Sequence, residues 1–115
     1  MVTIYHNPRC SKSRETLALL QQQGVQPEVV LYLETPPDAQ TLKALLKKLG
    51  ITSARELMRR KEDLYKSLGL AEPGLSEDQL IQALVEHPKL IERPIVINGE
   101  QARLGRPPEA VLEII

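Results

Sequence analysis

The chain has 115 residues, 42% hydrophobic and 26% charged, a composition that suits one ordinary globular domain and excludes wholesale disorder or a coiled-coil rod. Fifteen Lys and Arg balance fifteen Asp and Glu, so no global basic field exists to recruit nucleic acid. Aromatic residues amount to 3% (Tyr5, Tyr32 and Tyr65), no apolar run approaches the roughly 20 residues of a bilayer span, and the lone cysteine, Cys10, excludes an internal disulfide.

Val2–His6, β-branched and aromatic, predicts a first strand that stops at Asn7-Pro8, where proline lacks an amide hydrogen. From Ser11 the pattern turns helical, with Leu17 and Leu20 one turn apart and Gly24 suited to a left-handed helix end. The run Val29–Leu33, within Glu28–Leu33, predicts a buried second strand, parallel to the first because a helix joins the two in a right-handed crossover. Thr35-Pro36-Pro37-Asp38 reads as a helix start with Thr35 as N-cap, and Leu42, Leu45, Leu46 and Leu49 form one apolar stripe up to Gly50. Capping boxes at Ser53/Glu56 and Ser76/Gln79 predict two more helices, the second carrying Leu80, Ala83 and Leu84 up to His87-Pro88.

Ile95–Ile97 and Ala102–Leu104 flank Asn98-Gly99-Glu100-Gln101, a hairpin signal because Asn and Gly both tolerate positive φ. Pro107-Pro108-Glu109 opens a final helix with Val111, Leu112 and Ile115 on its buried side. The order β-α-β, helices, β-β-α predicts an α/β, thioredoxin-like fold with a four-stranded mixed sheet. A helical insertion separates the two halves of this single domain spanning residues 1–115.

Cys10 falls between a strand and a helix, where unpaired amides and the positive end of the macrodipole favour an anion. Arg9, Lys12, Arg14 and His6 lie close in sequence and push the same way, so a depressed thiol pKa and a nucleophilic sulfur are expected. No second cysteine follows in a Cys-x-x-Cys pair, so an outside thiol must resolve any sulfur adduct, whether a mixed disulfide with glutathione or a bond to an electrophilic substrate. Arg93 and Arg106 each precede proline, and Arg59 lies near the end of a short helix; three such forks, if convergent, would hold a tetrahedral oxyanion. His87 suits a helix C-terminus, Tyr32 and Tyr65 read as half-buried packing residues, and Arg59-Arg60-Lys61 reads as a solvated cluster. Neither a Gly-rich phosphate loop nor metal-ligand spacing occurs, and the N-terminus lacks the features of an export signal, so a cytoplasmic protein is expected.

The run from Ile4 to Arg14, Ile-Tyr-His-Asn-Pro-Arg-Cys-Ser-Lys-Ser-Arg, resembles the catalytic loop of the ArsC family, the glutaredoxin-coupled arsenate reductases. Leu31–Pro37, Leu68–Glu72, Arg93–Val96 and Arg103–Pro107 resemble the family's later blocks, so the likeness runs nearly end to end. It is most similar to the YfgD-type branch, whose loop also reads Cys-Ser-Lys-Ser. The resemblance implies that Cys10 attacks the arsenic of bound arsenate, that Arg59, Arg93 and Arg106 hold the oxyanion, and that His6 tunes the thiol. It further implies glutathione as co-substrate and glutaredoxin as partner; the composition itself gives the expectation of no bound cofactor, metal, nucleic acid or membrane, and small size with balanced charge adds that of a monomer. Well-known members carry Gly-Thr after the cysteine where this chain has Ser11-Lys12. Two alternatives therefore stay open, an Spx-like regulatory or binding module of the same fold and a glutathione-dependent reductase of another substrate.

Overall fold

The computed structural model describes every residue, Met1–Ile115. The chain forms two compact units, one from residues 1–35 and 93–115 and the other from residues 36–92.

The first unit contains β1 (Val2–Tyr5), α1 (Ser11–Gln22), β2 (Glu28–Val30), β3 (Ile95–Asn98), β4 (Gln101–Leu104) and a terminal 3₁₀ helix, Pro108–Ile114. The four strands run in the order β2-β1-β3-β4. β1 pairs parallel with β2 and antiparallel with β3, setting Ile4 beside both Val29 and Val96, and β3 pairs antiparallel with β4. This is the expected thioredoxin-like mixed sheet. Ile4 and Val96 share one core cluster with Leu20 of α1 and with Val111 and Ile114 of the terminal helix, so the two ends of the chain bury each other's apolar surface.

Three details of this unit differ from the sequence reading. β2 is a short edge strand rather than a buried one: Val29 is 44% exposed, and the chain turns at Leu31, whose carbonyl accepts from the Glu34 and Thr35 amides. The apolar run thus continues into a turn that buries Tyr32 and leaves Leu33 in solvent. In the hairpin, Asn98 stays in β3 and only Gly99, at φ 63°, takes the left-handed conformation. In the last helix Pro108, Val111 and Ile114 are buried while Leu112 and Ile115 are exposed, because a 3₁₀ helix has three residues per turn and stacks i over i+3.

The second unit is the helical insertion, with α2 (Ala39–Leu49), a 3₁₀ turn (Ala54–Leu57), α3 (Asp63–Ser67), α4 (Glu77–Glu86) and a 3₁₀ turn (Pro88–Leu90). The N-cap of α2 is Asp38, which accepts the Thr41 amide at 2.8 Å, and not Thr35. Pro37 pushes Pro36 out of the helical region, and the Thr35 amide is committed to the preceding turn, so the helix starts later. Leu42 and Leu45 are buried, and Gly50 closes the helix at φ 73°. Both capping boxes form, although the first caps a 3₁₀ turn. Glu77, in the first turn of α4, accepts from Ser53 Oγ and the Ala54 amide, both at 2.8 Å, and ties the two helix starts together. A bridge between Met58 and Ile91 is the unit's one β pairing. Tyr32 and Tyr65, at 1% and 7% exposure, are core residues rather than half-buried ones. No helix is long and apolar enough to cross a membrane.

The 3₁₀ phasing predicts opposite outcomes for neighbouring substitutions in urea unfolding. Ile114→Ala should cost about 2–4 kcal/mol through lost burial and a cavity, whereas Leu112→Ala should cost no more than about 0.5 kcal/mol.

Candidate active site

The loop between β1 and α1 is held by its own short-range chemistry. Asn7 accepts the Cys10 amide on its carbonyl and the Arg9 amide on its side chain, both at 3.0 Å, and Arg14 Nη1 donates to the Pro8 carbonyl at 2.9 Å. Ser13, fully buried in the first turn of α1, takes the Asn7 amide on Oγ at 3.0 Å and lies 2.6 Å from His6 Nδ1. These bonds fix Cys10 at the N-cap of α1 with an extended backbone.

Cys10 is 9% exposed, and its side chain forms no cap hydrogen bond. Burial pushes its thiol pKa up, but the Ser13 and Lys12 backbone N–H groups and the Arg93 and Arg106 charges push it down, and the net direction is down. The amides act here as aimed dipoles at the helix start. Arg106 Nη2 lies 3.9 Å from Cys10 Sγ, and Arg106 Nε donates to the Arg93 carbonyl at 2.9 Å.

The hairpin brings the two arginines together. Its register pairs Ile95 with Leu104; carried past the strand ends, it sets Pro94 against Gly105, whose amide donates to the Pro94 carbonyl at 2.9 Å, and Arg93 against Arg106. Both Arg–Pro peptide bonds are cis. Gly105 is required by close approach: a Cβ there would lie 2.5 Å from Thr16 Oγ1 and 2.7 Å from Pro94 Cγ. Thr16 is itself buried and anchored to the Lys12 carbonyl, so this glycine lets the Arg106 segment lie against α1.

The cations acting on the sulfur are thus not the sequence neighbours Arg9, Lys12 and Arg14. Lys12 acts through its amide, its ammonium pairs with Glu15 at 3.5 Å, and Arg14 is spent on the loop carbonyl. His6 adds no positive charge, since burial and then Arg14 lower its pKa and keep it neutral; its contact is with Ser13. Arg59 belongs to the second unit, where it follows the Met58 bridge and pairs with Glu62 at 3.0 Å. Ser13 and Gly105 were missed by sequence reasoning. Ser13 was detectable as a polar residue at the third helical position, whereas nothing short of the packing identifies Gly105. No group of three or more His, Cys, Asp or Glu side chains is placed to hold a metal ion.

A family model described as the ArsC family matches residues 5–114. YfgD of Escherichia coli (strain K12) is 71% identical over 114 residues, covering 99% of this chain and 96% of that protein. An arsenate reductase of Haemophilus influenzae (strain ATCC 51907 / DSM 11121 / KW20 / Rd) is 57% identical over 99% of this chain and 98% of its own length. Among solved structures, an arsenate reductase from Vibrio cholerae superposes with a TM-score of 0.97 at 60% identity, covering 99% of this chain and 97% of that one.

The thiolate is the species that alkylates, so a lowered pKa should let the iodoacetamide reaction of Cys10 reach its plateau at a lower pH than that of a free cysteine peptide. Arg106→Ala removes a stabilising charge and should shift the profile to higher pH. Gly105→Ala should shift it the same way by displacing Arg106, and should cost about 1–3 kcal/mol in urea unfolding through overpacking.

Proposed function

The chain belongs to the ArsC family, and from that premise we propose that it is an arsenate reductase in which Cys10 is the nucleophile and Arg59, Arg93 and Arg106 hold the oxyanion. The observation that carries this reading is the Arg106 guanidinium 3.9 Å from Cys10 Sγ, braced on the Arg93 carbonyl. A thiolate that must meet an anion needs cations that neutralise both, and planar forks match tetrahedral oxygens two at a time.

The Cys10 sulfur attacks arsenic(V), forming a sulfur–arsenic bond and expelling one protonated arsenate oxygen as water. The chain has no second thiol, so the electrons come from outside. Glutathione adds to the arsenic with loss of a second water, and a glutaredoxin thiol then attacks the glutathione sulfur. The sulfur–arsenic bond to glutathione breaks, its electron pair reduces arsenic(V) to arsenic(III), and the two sulfurs leave as a mixed disulfide. Water releases arsenite and restores the Cys10 thiol. No prosthetic group is needed, and a reducing cytoplasm supplies the thiols. His6 acts on Cys10 through Ser13: neutral and within hydrogen-bond distance of Oγ, it holds in place the residue whose amide faces the sulfur.

In an assay coupled through glutaredoxin and glutathione, purified protein should convert arsenate to arsenite and Cys10→Ser should abolish turnover. Arg93→Ala and Arg106→Ala should each lower kcat/KM by about 10²–10³ with little loss of stability. Absence of turnover at millimolar arsenate would exclude this substrate.

A further inference from the structure

Arg59 already has an anionic partner. Glu62 Oε2 lies 3.0 Å from Arg59 Nη1, and Glu62 Oε1 lies 3.7 Å from Lys89 Nζ, so one carboxylate spans two cations. The Arg59 and Glu62 side chains are 30% and 23% exposed, and water screens their pair less than a fully exposed one. The backbone brings the three groups together. The Arg59 amide donates to the Leu90 carbonyl at 2.7 Å, bringing the residue beside Lys89 against Arg59, and the Glu62 amide returns to the Arg59 carbonyl at 3.1 Å. Glu62 occupies the N-cap position of α3 but makes no side-chain cap bond there; its carboxylate faces the cations instead.

We propose that Glu62 is a built-in competitor for Arg59: a carboxylate that holds the guanidinium when the site is empty and that an incoming oxyanion must displace, with Lys89 retaining Glu62 after the exchange. This rests on the reading of Arg59 as an oxyanion-holding residue. A carboxylate and an arsenate oxygen seek the same guanidinium donors and repel each other, so they do not share that end of the fork without cost. Lys89 lowers this cost, because Glu62 keeps one cation when it gives up the other. Glu62 thereby raises the affinity threshold of the site and disfavours weakly held anions.

The test is calorimetric binding of arsenate, without thiol co-substrates, to the full chain and to Glu62→Gln, Arg59→Gln and the double variant. Glu62→Gln preserves side-chain shape and removes the charge. It should bind arsenate about two- to fivefold more tightly than the unaltered protein, the range of a partly screened ion pair. Arg59→Gln should bind more weakly, and adding Glu62→Gln to it should restore nothing. A merely structural role for Glu62 does not produce tighter binding. If Arg59→Gln weakens binding but Glu62→Gln leaves it unchanged or weaker, the competitor role is overturned and Arg59 keeps its own. A gain from Glu62→Gln that survives in the Arg59→Gln background also overturns it, as a general effect of lost negative charge. Unchanged binding in Arg59→Gln removes Arg59 from the site and the proposal with it.

Discussion

Burial of Cys10, which is 9% exposed, works against its thiolate, and the first unit supplies the groups that outweigh that cost and lower the thiol pKa. Part of the compensation is local, since placing Cys10 at the start of α1 aims the Lys12 and Ser13 amides toward it. The rest is long-range and comes from Arg93 and Arg106 at the two ends of a hairpin. The two parts differ in reach: amide dipoles act over the first turn, where Cys10 sits, and guanidinium charges act only where packing delivers them. The β1–β3 pairing and the shared core under Ile4, Val96 and Val111 make that delivery. The packing that stabilises the first unit is therefore also what delivers the charges to the sulfur.

The fold was largely legible because its elements announce themselves by mechanisms that operate within a few residues. Asn7-Pro8 stops a strand, Gly50 ends a helix, and Ser76 with Gln79 starts one, whatever the rest of the chain does. The errors fall where local signals compete. The apolar run through Leu33 was indistinguishable from a strand until the turn at Leu31 divided it, and Thr35 was a plausible cap until Pro37 moved the start to Asp38. In the terminal helix the location was right and the period wrong: Val111 is buried as expected but Leu112 and Ile115 are exposed, because nothing in Pro108–Ile114 separates a 3.0-residue from a 3.6-residue repeat except the core it meets.

The site was legible in its nucleophile and less so in its electrostatics. Cys10 at a strand-to-helix junction is visible in one short stretch of sequence. The charges that matter were assigned first to the nearest cations along the chain, yet proximity in sequence proved a poor guide: Arg14 is consumed by the loop it stabilises, and Lys12 turns to Glu15. The hairpin contained the better clue, because the register implied by Ile97 and Ala102 already sets Arg93 against Arg106. Glu62 could not be found this way, since within a run of Arg, Lys, Glu and Asp any carboxylate reads as ordinary surface until its partners are seen.

The first unit is discontinuous, with β1 and α1 at the beginning of the chain and β3 and β4 near its end. On the ribosome Cys10 emerges well before the segment from Arg93 to Arg106. Until then β1 has no antiparallel neighbour and the sulfur has no guanidinium beside it. Before that segment arrives, the thiol has at most the Ser13 and Lys12 amides of α1 to lower its pKa. The guanidinium share of that lowering comes only once β3 and β4 have joined β1 in the sheet.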